Sequence, residues 1–578
     1  MRINRIWAAA LALSMPLASG AFAQEFDDFG GFDDGGDVGG FSDGATAEKP
    51  FSIGGEAKFQ PRLYVADVDE DSFGWKSLLI DPSLKLNLSY ETSSVEFEGK
   101  LAVDKDIVMN WREDILNELT MRVYLGNFVL EAGKEKVVWG KGDKLHVLDL
   151  FNANDYTDFI VPDYIDRRLA EPMLRAVWNS PFSNNLRVEA VWTPTMTPDR
   201  FGTGRWTPAS VGALTDEVTA LGGGIVAGKL FEIDSYAVDG RESNKKMTEA
   251  VSKFMQENGI MDPESVKVAA FTEGNRDDDE YAQQRNQQAG QLAGDDHVRH
   301  HIFQFAGAGE FQKENYVTNL YASYTLALTK ATSLADDLYP DTRKFRYGQA
   351  GVRITGTVGM FDLGASYYYG HFKTPSVDYA KMETYVSKYL DGASVDEDDK
   401  FLAYDRLQVF GVEAGGVIGP FNTRAEFGYY LTDDVAGDDP AVKNNSVNWL
   451  AGFDIDLPLH NLNVNIQEVG QYILNNGDIK SGDTEYDKDG IYSNNKIVLN
   501  ISDSFAHEKV KPEITVLYGI ERSDLVIQPK VAYMVRPGFE LSAQGMIMVN
   551  FDSDDKSEFQ PWMQNNNSFV QLGVKYSF

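Results

Sequence analysis

Residues 421–431, FNTRAEFGYYL, put Phe421, Ala425, Phe427, Tyr429 and Leu431 on one side of an extended chain and Asn422, Arg424, Glu426 and Gly428 on the other, because successive side chains of a strand point to opposite faces. The same division recurs along the chain. Leu84, Leu86, Leu88 and Tyr90 alternate with Lys85, Asn87 and Ser89; Val95, Phe97, Gly99, Leu101 and Val103 with Glu96, Glu98 and Lys100; Leu186, Val188, Ala190 and Trp192 with Arg187 and Glu189. Soluble sandwiches use strands averaging about 5–6 residues. Strands of ~10 residues repeated many times match a membrane barrel with an apolar face toward lipid and a polar face toward the lumen. The expected fold is therefore all-β, a transmembrane antiparallel up-and-down β-barrel over residues 51–578. Its strands start near residues 53, 76, 94, 117, 127, 171, 186, 345, 361, 406, 421, 446, 461, 491, 512, 524, 539 and 568, making eighteen, with sixteen as the alternative. Tight turns near residues 91–94, 126–127, 359–360, 419–420, 458–460 and 536–538 take turns with longer acidic loops. Short periplasmic turns and long outer loops have this rhythm.

Both ends of the chain point to the outer membrane. At the C-terminus, Val570, Leu572, Val574, Tyr576 and Phe578 alternate with Gln571, Gly573, Lys575 and Ser577. This resembles the terminal signal by which the barrel assembly machinery recognises bacterial outer-membrane proteins, with Tyr576 and Phe578 as its key residues. At the N-terminus, Arg2 and Arg5, the apolar run Ile6 to Leu13 and Ala21-Phe22-Ala23 read as a signal peptide over residues 1–23. Residues 24–50 are mostly Gly, Asp and spaced Phe, a composition that cannot bury a core and reads as a disordered acidic tail. The tail is either a spacer or a docking segment for a periplasmic or exporter partner. No apolar run of ~18 residues follows.

The 53 basic and 88 acidic residues give a net charge of −35, which argues against nucleic-acid binding, and the absence of cysteine removes thiol and cysteine-ligated chemistry. No nucleophile elbow, zinc-protease helix, phosphate loop or dinucleotide fingerprint occurs, so neither an enzyme nor a cofactor is expected. His297, His300 and His301 are weak metal candidates without a second ligand set. The Asp-rich loops lack the register of a calcium-binding loop.

The expected large, partly helical extracellular insertion covers residues 196–344. Helical spacing appears at Met247, Ala250, Val251, Phe254 and Met255, and again over Asp378 to Leu390 with Met382, Tyr385, Val386 and Tyr389 on one face. The segment from Val137-Val138-Trp139-Gly140 through Asp143, Leu145, Val147, Asp149, Asn152 and Asp155 to Asp166-Arg167-Arg168 and Met173 is too apolar for a solvated loop. It resembles, over residues 120–178, an uncharacterised family of bacterial outer-membrane barrels often linked with exporters of the resistance–nodulation–division class. Lys141 and Lys144 stand where that family has polar or acidic residues.

The expected function is a porin-like channel or substrate-specific transporter for a small polar or amphipathic solute, set in outer-membrane lipid. Lys85, Glu96, Glu98, Lys100, Arg187, Glu189, Arg424 and Glu426 are the pore-lining candidates. Trp139, Gly140, Asp143, Asp149, Asn152, Asp155, Arg167 and Arg168 are the candidates for a constriction loop over 134–170. Facing rows of opposite charge would set a transverse field, or the same groups would pair and stiffen the wall. The alternative is a surface-exposed structural or adhesive barrel with a plugged lumen.

Overall fold

Each of the eighteen period-two segments is a strand in the protein. The structure, a computed structural model, describes residues 51–65, 78–104, 115–143, 145–161, 163–182, 185–201, 206, 218, 221, 339–390, 396–551 and 567–578. The expected signal peptide and acidic tail, most of the 196–344 insertion with its helix at 247–255, Lys144, and His297, His300 and His301 lie outside these residues.

The strands are β1 (Phe51–Tyr64), β2 (Leu78–Glu91), β3 (Val95–Val103), β4 (Leu116–Leu125), β5 (Phe128–Glu135), β6 (Glu171–Asn179), β7 (Arg187–Thr193), β8 (Gln349–Val358) and β9 (Phe361–His371). They continue as β10 (Arg406–Ile418), β11 (Phe421–Thr432), β12 (Ser446–Asp456), β13 (Asn463–Ile473), β14 (Ser493–Ser502), β15 (Val510–Gly519), β16 (Asp524–Arg536), β17 (Phe539–Asn550) and β18 (Phe569–Ser577). All eighteen form one antiparallel sheet. It closes because β1 pairs with β18 as well as with β2. The largest displacement from the expected starts is at β8, where a 3-10 turn over Phe345–Tyr347 takes the place of the first strand residues.

Connections alternate between a short-turn end, which also holds both ends of the sheet, and a long-loop end. The exception is the turn 520–523, short but at the long-loop end. Side chains alternate as the sequence requires. Leu119, Leu174, Val352, Ile354, Val412, Val531 and Leu572 are exposed on the outer face. Aromatics flank them on that face, with Trp192, Tyr367, Tyr369 and Tyr472 toward the long loops and Tyr90, Phe97, Phe128, Phe421, Tyr533 and Tyr576 toward the short turns. Inward positions are mostly polar.

The chain divides into two compact units, and residues 15–209, 341–376 and 404–578 make up the one carrying the barrel. Within it, the connection from β5 to β6 holds one helical turn, α1 (Tyr164–Arg167). At its long-loop end Lys443 is fully buried, its ammonium donating to Thr374 Oγ1 at 2.7 Å and its backbone N–H to Asp405 at 2.9 Å. Burial pulls the Lys443 ammonium down to about 8 and pushes the Asp405 carboxyl up to about 6. In the other unit, α2 (Tyr379–Leu390) buries Met382, Tyr385 and Val386, one turn apart. Tyr385 meets the Phe401 ring edge-on at 5.4 Å.

The closing seam has no slack. The backbones of Gly55 and Phe578 exchange two hydrogen bonds of 2.9 Å, and a Cβ at Gly55 would sit 2.5 Å from the Lys85 carbonyl and 2.9 Å from the Phe578 ring. Gly55→Val is therefore expected to prevent closure, abolishing the heat-modifiable gel mobility of a folded barrel. Lys575→Gln, an inward position whose amine lies 3.6 Å from Glu540, should keep it.

Candidate functional site

The loop over residues 136–170 folds into the barrel, and its apolar side chains explain why. Val137, Trp139, Leu145, Val147, Leu148, Phe151, Phe159 and Ile160 are all buried, in one cluster with the wall residues Tyr368, Val409 and Tyr430. At roughly 1.5–3 kcal/mol per fully buried large apolar side chain, exposing this set to water would be costly.

The loop's polar groups are tied to two sides of the wall. On β11, the Glu426 carboxylate accepts backbone N–H bonds from Lys141 and Gly142 at 2.6 Å, Val147 at 2.8 Å and Leu148 at 3.2 Å, with His146 Nδ1 at 3.3 Å. The loop thus wraps a wall carboxylate with its own amides. Gly140 makes the approach possible: its φ is +114°, and a Cβ there would lie 2.3 Å from Glu426 Oε1. Beside it Arg424 pairs with Asp143 and with Asp454, and Asn465 donates to Asp143 at 2.5 Å. Trp139 Nε1 donates to Glu189 on β7 at 3.0 Å, and Arg353 on β8 donates to the Gly140 carbonyl at 3.2 Å.

The opposite anchors are on β1 and β2. Arg62 grips Asp158 with two bonds of 2.5 and 2.8 Å, and Lys85 donates to Asp166 at 2.5 Å with Lys58 4.0 Å away. In the closed order β11 lies ten strands from β1 one way round and eight the other, so the loop spans the interior from wall to wall. Asn152 staples its root, accepting from Val137 N at 2.8 Å and donating to the carbonyls of Glu135 at 3.0 Å and Leu169 at 2.9 Å.

The motif residues therefore shape the loop. Asp149 takes the Tyr164 hydroxyl and the Arg168 guanidinium, the latter at 2.9 Å; Asp155 pairs with Arg200 at 3.1 Å; Arg167 is buried. The pore-lining candidates all face inward, but each is held by a close partner, usually a residue outside the candidate set, rather than standing in facing rows of opposite sign. Lys100 meets Glu118 at 2.9 Å, Arg122 lies 3.1 Å from Glu96 and 3.2 Å from Glu98, and Arg187 is 3.3 Å from Glu189. Glu189 and Glu426 are buried beneath the loop. Arg62, Arg353 and Asp158 were not singled out from the sequence, and Asp166 only as part of the distinctive loop segment. Arg62 and Arg353 carried a signal in the inward parity of their strands. For Asp158 and Asp166 nothing pointed to their partners, because spacing does not say which wall a loop aspartate reaches. Among the described residues no group of three or more His, Asp or Glu could hold a metal ion.

Glu426→Ala would strand two buried N–H donors, of Val147 and Leu148, and two partly buried ones, of Lys141 and Gly142, a buried one costing roughly 1–3 kcal/mol when unsatisfied. The expected outcome is at least about tenfold faster hydrogen exchange over residues 141–148 with the barrel intact. The second anchor is acid-sensitive. Burial raises the Asp166 carboxyl, but Lys85 and Lys58 outweigh it and hold the group down at about 2. Since that lies below the ordinary ~3.9 of aspartate, the contact is fully stabilising above that pH and is lost as pH falls toward 2. Exchange over residues 163–168 should rise across this window, and Asp166→Asn should remove the dependence.

No family model and no curated protein matches this chain. Among solved structures it is similar to a double mutant of the Rhodopseudomonas blastica porin, at 10% identity, 91% coverage of this chain and 100% of that one, and a TM-score of 0.32. It is similar also to a triple mutant of that porin, at the same identity and coverage with a TM-score of 0.33. The strand register itself, and not these likenesses, defines the barrel.

Proposed function

We propose that the protein is a channel of the bacterial outer membrane for a small polar or amphipathic solute, narrowed by the 136–170 loop. One observation carries this reading: the surface is inverted relative to a soluble protein. Large apolar side chains bounded by aromatics cover the outside of the closed sheet, while ionised groups line its inside. An exposed apolar patch of more than a few hundred Å² is rare on a soluble monomer, whereas an apolar band between aromatic girdles suits a bilayer. No helix among the described residues is long and apolar enough to cross a membrane, so spanning falls to the strands. Eighteen strands enclose an interior wide enough for water unless something fills it.

A second reading, a surface protein with a plugged lumen, draws support from the inward residues Val498, Leu517, Val526 and Met546, which are almost wholly buried toward the long-loop end.

Conductance in planar bilayers separates the two. The refolded chain should conduct, and removing residues 143–160 should raise the conductance. With acidic residues in excess, the pore should favour cations, and the preference should weaken as the Debye length shrinks from ~10 Å at 0.1 M salt to ~3 Å at 1 M. Silence from both forms would support the plugged barrel.

A further inference from the structure

We infer that the outward face at the long-loop end of β8, β9 and β10 holds the phosphate headgroup of a lipid in the adjoining leaflet. This rests on the membrane-barrel reading above and gives it a partner of stated chemistry. The starting point is Asp341-Thr-Arg-Lys-Phe-Arg-Tyr-Gly348. In a chain of net charge −35, this stretch sets Arg343, Lys344 and Arg346 against Asp341 alone. The three cations are exposed, and Phe345 among them is 80% exposed. A bare aromatic ring flanked by cations has the composition of an interfacial anchor, the ring suited to the acyl boundary and the charges to the headgroups.

The segment lies on the lipid side of the sheet. Leu363, Tyr367 and Tyr369 of β9 point outward, and His371 shares their parity, yet His371 is buried. Residues 346–347 cover it: the Tyr347 ring lies 4.9 Å from the His371 ring, and His371 Nε2 is 3.2 Å from the Arg346 carbonyl. On β10, Arg406 stands opposite His371 and donates to the same carbonyl at 3.0 Å. Two neighbouring strands therefore hold the turn against their outer face. Toward the middle of the barrel the next outward residues are Trp192, Tyr369 and Tyr367, followed by Val352 and Ile354. Cations, aromatics and apolar side chains thus follow one another in the order of headgroup, interface and acyl chain.

The charge of this patch is left for a guest. The Arg406 guanidinium lies 4.6 Å over the Tyr369 ring, and its hydrogen bonds go to the carbonyls of Arg346 and, at 3.5 Å, Gly370. These partners are neutral, and none cancels it. Arg346 lies 4.9 Å over the Tyr347 ring. Asp341, the one acid of the stretch, accepts the Arg343 backbone N–H at 3.1 Å, and Asp405 is taken by Ser376 and by the Lys443 backbone N–H. Arginine offers a phosphate two parallel donors. A free anion would use only these cations, whereas a phospholipid also covers the aromatic and apolar residues beside them.

The probe is brominated phosphatidic acid, compared with brominated phosphatidylcholine at the same mole fraction, in phosphatidylcholine vesicles holding the refolded full chain. Bromine quenches nearby tryptophan, and Trp192 stands beside the patch. At about fivefold per cation near the surface, phosphatidic acid should be preferred at least about tenfold, and the excess quenching should disappear in Trp192→Phe. The exposed pair Arg343→Gln and Lys344→Gln, made together, should cut the preference at least about fivefold. Lys575→Gln, inward and at the other end of the barrel, should leave it unchanged. Equal quenching by the two lipids, undiminished preference in the double variant, or loss of preference on adding millimolar inorganic phosphate would overturn the proposal, the last by making the guest a free anion. Insertion is read separately, by heat-modifiable mobility after refolding into pure phosphatidylcholine. Failure to insert would sink the membrane reading and the site with it, whereas insertion without the preference would sink the site alone.

Discussion

Closure of the sheet between β1 and β18 is the constraint from which the other features follow. Once the last strand pairs with the first, the barrel leaves no edge, and its backbone groups are satisfied without water. The outer face is then free to be apolar, and the charged residues of the chain are directed inward or into loops. The period of two in the side chains is the consequence of that sorting. The tightness of the Gly55–Phe578 contact shows how little room the seam leaves.

An interior that collects charges has to neutralise them. Partly buried ions repay their desolvation only with close partners and further hydrogen bonds, and the wall supplies both. Arg175 bridges Glu131 at 3.0 Å and Glu189 at 2.8 Å, and Arg353 meets Glu413 at 2.5 Å. The same rule explains the loop. Its backbone amides near residues 141–148 leave the sheet and need acceptors, and Glu426 needs donors. Each solves the other's problem, which a solvated loop would leave to water.

The barrel was readable because its signal is local: alternation within ten residues, turn residues between, and parity over the whole count. The strand at β8 began later than expected because Phe345 is apolar enough to pass for a strand residue while its backbone turns. The site was readable only in its parts. Trp139, Gly140 and Asp143 stood out by density, and Arg424 and Glu426 by alternation. Nothing in the spacing joined the two sets, since Glu426 and Lys141 are 285 residues apart. The role of Gly140 was hidden for the same reason, because the crowding that demands a glycine comes from another strand. Whether the wall charges stand in facing rows or in close pairs was not legible, because sequence gives the sign of a residue and its face, but not which neighbour its side chain reaches.

The placement of the anchors limits how this interior can work. The loop is held at its root by Asn152, on one wall by Glu426 and Arg424, and on the other by Arg62 and Lys85. A segment fixed at three separated points has no hinge about which to swing as a lid. Opening it would require breaking one charged anchor completely, leaving both partners buried or half-buried without compensation. The loop is therefore part of a fixed frame inside the barrel. The chemistry of the inward faces differs round the barrel. The β3–β9 side carries cross-paired ions, which resist deformation but offer few free groups. Where the loop's Asp143 meets Asn465, the wall changes to uncharged amides and hydroxyls that bond largely within the barrel.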